Sequence, residues 1–161
     1  MSDVWKSEPN QEDFECHGLK CRIRRVSWSG HLCGYVGVPE SHPWFGKDYS
    51  ADVPATRAQL DREVDIDKIG AINLLCANAP TEEAASIVLL IDVHGGLTYS
   101  GNGADELAGL WVFGFDCAHS GDLCPVSAEK YGDSGYETYR DFAYVKRETE
   151  SLARQLAAIG A

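Results

Sequence analysis

Apolar and polar positions along the chain predict a β framework followed by one long helix. Residues 86–94 (SIVLLIDVH) are nearly all β-branched or aliphatic, which predicts a central buried strand. Period two puts Ile87, Leu89, Ile91 and Val93 on one face, and Val88, Leu90, Asp92 and His94 on the other. Residues 111–118 (WVFGFDCA) predict a second strong strand, with Trp111, Phe113, Phe115 and Cys117 facing the core. Asp116 then lies with Val112, Gly114 and Ala118 on a face of small residues. Pairing of these two strands would let Asp92, His94 and Asp116 converge. Residues 21–28 (CRIRRVSW) and 31–38 (HLCGYVGV) flank Ser29-Gly30 and predict a hairpin. Near the C-terminus, Phe142, Val145, Thr149, Leu152, Leu156 and Ile159 recur three or four apart. Glu137, Arg140, Lys146, Arg147, Glu150 and Arg154 fill the other face, so an amphipathic helix over 137–158 is expected to cover the sheet.

The intervening segments carry weaker patterns. Residues 1–15 are polar and acidic and predict an extended or disordered lead-in, pinned by Trp5 or Phe14. Residues 39–50 (PESHPWFGKDYS) contain two prolines and a glycine that forbid a long regular element. Residues 51–85 are rich in Ala, Asp, Glu and Leu, and predict a helical insertion with its helix within 55–78. Leu97-Thr98-Tyr99 begins a further strand, and 100–109 is a Gly-rich loop without the Lys-Ser/Thr ending of a phosphate loop. Together these elements predict a single α+β domain over 1–161. Its mostly antiparallel sheet contains 21–28, 31–38, 86–94 and 111–118, with the C-terminal amphipathic helix on one face.

Composition narrows the function classes. With 161 residues the chain can bury a sizeable core. Its formal net charge of −11 repels phosphate backbones, so nucleic acid is not an expected partner. The longest apolar run, Ile87 to Ile91, is far shorter than the roughly 20 residues of a spanning helix, so no membrane association is expected. Residues 1–20 show no signal-peptide pattern, which makes the cytoplasm the default compartment. Six cysteines without paired spacing are then expected as reduced thiols.

Candidate chemistry gathers in 87–122. His94, Asp116, His119 and Asp122 offer imidazole and carboxylate ligands suited to a divalent metal such as Zn, Mn or Fe. Asp-x-x-His-x-x-Asp at 116–122 leaves a strand and enters a turn, so its side chains can splay around one point, and an open position could activate water for hydrolysis. The same residues also suit a buried hydrogen-bonded cluster. A sulfur variant, Cys117, His119 and Cys124, lacks a fourth ligand. Metal-free acid–base chemistry would use His94, Asp116 and His119 as catalytic groups. Cys117 beside His119 could be a nucleophile, although strand parity turns it toward the core. A binding surface would draw on His42, Trp44, Lys47 and Asp48 of the 39–50 loop, on Tyr99, and on the basic spot Arg22, Arg24 and Arg25. The arginines equally suit an exposed strand face paired with nearby carboxylates.

The phrases GYVGVPESHPWFGKDY (34–49), VHGGLTYSG (93–101), WVFGFDCAHSGD (111–122) and YRDFAYVKRETESLARQL (139–156) resemble a family of small uncharacterised proteins encoded by bacteriophages, prophages and some bacteria. The resemblance covers most of the chain outside 51–86. It implies a phage-related origin and a single domain, and it gives no residue a role. The expectation that follows is a soluble binding or host-interaction domain with a His/Asp pocket, taking a host protein or a small ligand. The alternative is a metal-dependent, hydrolase-like enzyme using His94, Asp116, His119 and Asp122.

Overall fold

A computed structural model describes residues 3–161. Its main sheet is antiparallel and has five strands in the order β1-β2-β3-β7-β6. These are β1 (Gln11–Cys16), β2 (Leu19–Arg25), β3 (Leu32–Val38), β6 (Tyr99–Asn102) and β7 (Trp111–Asp116). The hairpin expected around Ser29-Gly30 is present as β2–β3, with Arg25 opposite Leu32. The second strong strand is β7, paired to β3 from Cys33↔Asp116 to Val38↔Trp111. The protein is therefore α+β, with a C-terminal helix on one sheet face.

The lead-in is more structured than its composition predicts. A single helical turn, α1 (Val4–Ser7), precedes edge strand β1. His17 and Gly18, both at positive φ, make the two-residue turn into β2. Alternate β1 residues are exposed, and its charges are used locally: Asp13 pairs with Arg22, and Glu12 with Lys146. That is why an acidic segment without an apolar run still forms a strand. Phe14 packs on the core edge, and the Arg25 guanidinium lies 5.7 Å from the Trp5 ring centroid.

The core lies between this sheet and α7 (Phe142–Gly160). Val145, Leu152, Ala153 and Leu156 of α7 are buried in one cluster with Ile23, Val36, Phe113 and Phe115. The close approach requires glycine at 34, since a Cβ there would lie 2.3 Å from Thr149 Oγ1 and 2.4 Å from Phe115 Cε1. The helix starts at 142 rather than 137. Asp141 is its N-cap, accepting from the Tyr144 N–H at 2.8 Å. Residues upstream of the cap are instead extended, with Thr138 bridged to Asp122 in parallel.

Residues 86–94 are not the central strand that their composition predicts. A short strand, β5 (Ala84–Ser86), pairs only with β4 (Asp52–Pro54), and Ile87–Leu90 form one helical turn, α5. Residues 91–94 are irregular yet mostly buried. Their backbone finds other partners. The Gln155 side chain accepts from Asp92 N–H at 2.9 Å and donates to Asp92 O at 2.7 Å, and Val93 N–H donates to Lys68 O at 3.0 Å. A short apolar run satisfies burial in either conformation, and these substitute hydrogen bonds remove the need for a strand neighbour. Asp92 accordingly faces Arg62, at 3.1 Å, and takes no part in a cluster with Asp116.

The 51–85 segment opens and closes on the β4–β5 pair and holds three short helices, α2 (Arg57–Asp61), α3 (Ile66–Ile69) and α4 (Ala71–Cys76). A seventh helix, α6 (Pro125–Tyr131), links β7 to the segment before α7. Among the described residues, no helix is long and apolar enough to cross a membrane.

Candidate functional site

Two turns bring the site together at the end of β7. The first holds His94 and is suspended from α3. Gly95 N–H donates to Asp67 O at 2.8 Å, and Gly96 N–H to Val93 O at 2.8 Å. Gly96 has φ +81, and a Cβ there would fall 1.7 Å from Ile69 O. The second turn follows Asp116, whose Oδ1 accepts from Ala118 N–H at 3.1 Å. Asp122 closes it, with Oδ2 accepting from His119 N–H at 3.0 Å and its own N–H donating to His119 O at 2.9 Å. The turns meet where the His119 ring lies on the Gly95 backbone. A Cβ on Gly95, at φ +66, would be 2.3 Å from His119 Cε1.

Asp122 is the hub. Its side chain is 2% exposed, a state that an isolated carboxylate would not tolerate. His94 Nε2 lies 2.8 Å from Oδ2, and Arg140 Nε donates to Oδ1 at 2.9 Å. Burial alone would raise the Asp122 pKa. The hydrogen bonds and charge supplied by His119, His94 and Arg140 outweigh burial and hold it well below the ordinary carboxylate range. The other ring nitrogen of His94, Nδ1, is 2.8 Å from the Tyr144 hydroxyl. The Arg140 guanidinium also lies 5.3 Å from the Tyr144 ring centroid.

His119 differs from its neighbours. Its side chain is 32% exposed, but Nδ1 is buried and has no hydrogen-bond partner. That atom points between two carboxylates, 3.4 Å from Asp122 Oδ2 and 3.6 Å from Asp116 Oδ1. The Asp122 carboxylate, against the opposing effect of burial, raises the imidazole pKa above its ordinary value. One ligand atom each from His94, His119 and Asp122 lies within 4.8 Å of the other two.

Three of the four expected metal ligands thus meet, although 86–94 is no strand. Asp116 stands beside the group, outside this set, bonded to the Thr98 hydroxyl at 3.1 Å. The sulfur variant does not assemble. Cys117 is buried in the core, and the Cys124 thiol lies 3.9 Å from His31. Of the expected contact residues, His42 and Trp44 are interior. His42 bridges the Leu156 carbonyl, at 2.8 Å, and the Trp44 N–H, while Trp44 is 3% exposed with its ring 6.3 Å from that of Phe113. Trp44 therefore closes the core edge and presents no ring to a partner. Lys47 and Asp48 are exposed, and Asp48 caps a local turn by accepting from the Ser50 N–H at 2.9 Å. Tyr99 lies on the opposite sheet face from Ser100, which is the residue that touches Asp48. Arg140 and Tyr144 were not among the expected site residues. The available signal is Asp141, a capping residue type that ends the extended segment at Arg140 and places Tyr144 in the first turn of α7.

No protein-family model, curated protein or solved structure matches the chain.

All six cysteines are free. Burial pushes the Cys21 thiol up to about 12 and the Cys33 thiol up to about 11, and raises Cys117 further. Cys76 is exposed. A thiol reagent at pH 8 is expected to modify one cysteine rapidly in the native protein and all six in denaturant. Rapid native modification of Cys117 would restore it as a nucleophile candidate.

Proposed function

We propose that His94, His119 and Asp122 form a divalent metal centre, and that the protein is a metal-dependent enzyme of the hydrolytic class. The observation that carries this reading is the buried Nδ1 of His119, which makes no hydrogen bond and faces Asp122 at 3.4 Å within the three-donor cluster. At 3.4 Å and 3.6 Å the carboxylates of Asp122 and Asp116 are within ion-pair reach of this nitrogen but make no hydrogen bond to it, and an ion between the donors would complete it. Donors around a four-coordinate zinc ion are about 3.3 Å apart at ordinary bond lengths. The 3.4 Å separation of His119 and Asp122 already fits, and the 2.8 Å contact of His94 with Asp122 must open slightly.

The outer partners suit the same role. With Nε2 on a metal, His94 would donate Nδ1–H to the Tyr144 hydroxyl, while Arg140 holds the second oxygen of Asp122. Three protein ligands leave a coordination position for water, which the metal would acidify. Asp116, 3.6 Å from His119, would be the nearby carboxylate to accept a proton from such a water or to orient it. Recognition of a host protein through the 39–50 loop has less support, because its aromatic anchor Trp44 is in the core.

Equilibrium dialysis against Zn²⁺ and Mn²⁺, followed by elemental analysis, tests the reading. One ion per chain is expected for the unmodified protein. His119→Ala should lose at least about a hundredfold in affinity, more than an outer-partner change costs, yet stay folded because its ring is partly exposed. Equal metal content in both proteins, or none in either, would refute the proposal.

A further inference from the structure

The sheet face opposite α7 carries a second, separate candidate site. Three arginines lie along β2, and two are fully engaged. Arg22 is 7% exposed, with Nε donating to Asp13 Oδ1 at 2.6 Å and Nη2 to Asp13 Oδ2 at 3.1 Å. Arg25 donates to Asn10, to the Gly30 carbonyl and to Glu8. Arg24 is exposed and, among the described residues, makes no ion pair or side-chain hydrogen bond. Its guanidinium is therefore available to an incoming anion.

Arg24 borders a cavity of about 210 Å³, together with Arg22, Tyr35, Tyr99, Leu107 and Val112. The rings of Tyr35 and Tyr99 meet edge to face, with centroids 5.7 Å apart and planes at 89°. Each lies over a glycine. A Cβ on Gly114 would be 2.5 Å from Tyr35 Cδ1, and one on Gly101 would be 2.7 Å from the Tyr99 hydroxyl. Tyr99 is nonetheless 43% exposed, a large aromatic surface left in water beside the cation. The cavity is smaller than the roughly 300–1,000 Å³ of sites for drug-sized molecules, so its ligand is small.

We propose that this cavity binds a small aromatic carboxylate, with the carboxylate on the Arg24 guanidinium and the ring between Tyr99 and the apolar surface of Val112 and Leu107. A guanidinium matches a carboxylate with two parallel hydrogen bonds. Among the described residues that line the cavity, Arg24 is the one cation without a carboxylate partner, since Arg22 is paired with Asp13, so a monoanion fits better than a doubly charged phosphate. Aromatic walls favour a ring over an aliphatic acid, through offset or edge-on contact.

Titration of the ¹⁵N-labelled full chain with benzoate tests this, with benzyl alcohol and acetate as separate controls for ring and charge. Benzoate is expected to shift the backbone amides of Tyr35, Tyr99 and Val112 along saturable curves. Each control should bind at least about tenfold more weakly, and Arg24→Gln should weaken benzoate about ten- to a hundredfold. Because the Arg24 side chain makes no ion pair or hydrogen bond among the described residues, the variant should otherwise keep the parent spectrum. His119→Ala should bind benzoate unchanged, which separates this site from the metal centre. Shifts that do not saturate, equal affinity in Arg24→Gln, or benzyl alcohol binding as well as benzoate would overturn the proposal.

Discussion

Asp122→Asn is expected to lower the unfolding free energy of the metal-free protein by about 3–5 kcal/mol, the cost of breaking a buried charge pair from one side. The carboxylate receives Arg140 at 2.9 Å, His94 at 2.8 Å and the His119 N–H at 3.0 Å, in a position that is 2% exposed. An amide keeps one acceptor oxygen and turns its NH₂ toward a donor, so at least one buried group loses its partner. The turn over 119–122 would loosen with it, because the same side chain closes that turn. Arg140→Gln should cost less, since Arg140 is 30% exposed and water can replace its lost bond. Urea unfolding in the presence of a chelator measures both. A loss below about 1 kcal/mol for Asp122→Asn would mean that the hub is not structurally important.

Gly95→Ala is expected to abolish the site while leaving the fold in place. The substitution places a Cβ 2.3 Å from His119 Cε1, so the ring must leave its position over the 93–96 turn. The backbone at φ +66 adds a left-handed conformational cost of about 1–2 kcal/mol. Metal affinity should then fall by at least about a hundredfold, as when a ligand is removed. Gly109→Ala is the control. It has φ +82 and nothing within 4 Å of the added Cβ, so it carries the backbone cost without moving His119. Isothermal titration with Zn²⁺ on both variants distinguishes steric displacement of the ligand from general destabilisation. Equal losses in the two would show that His119 is not held by its contact with Gly95.

Much of this arrangement is legible in the residues alone, for identifiable reasons. The β7 strand and the α7 helix each carry a periodic apolar face many residues long, and Phe113, Phe115, Val145, Leu152 and Leu156 are buried as that periodicity predicts. His94, His119 and Asp122 are legible as a group because ionisable residues interrupt otherwise apolar or tightly turning stretches. The conformation of 86–94 is not legible. Its apolar run fixes burial but not φ and ψ, and its backbone partners, Gln155 and the Lys68 carbonyl, lie far away in the chain. Strand β1 is hidden for the opposite reason. An edge strand needs few apolar residues when Arg22 and Lys146 pair with its carboxylates. The burial of Trp44 follows from His42 reaching the Leu156 carbonyl, a contact between residues 114 apart.

The most direct test of the central claim is titration of the metal-free protein with Co²⁺, followed by visible absorption. Cobalt takes the same nitrogen and oxygen donors as zinc, and its absorption reports coordination geometry. A metal centre at His94, His119 and Asp122 predicts intense low-symmetry bands that saturate at one ion per chain and vanish in His119→Ala. The weak spectrum of hydrated Co²⁺, unchanged by the protein or identical in the variant, would contradict it. The cluster would then be a hydrogen-bonded brace between the 93–96 turn and α7.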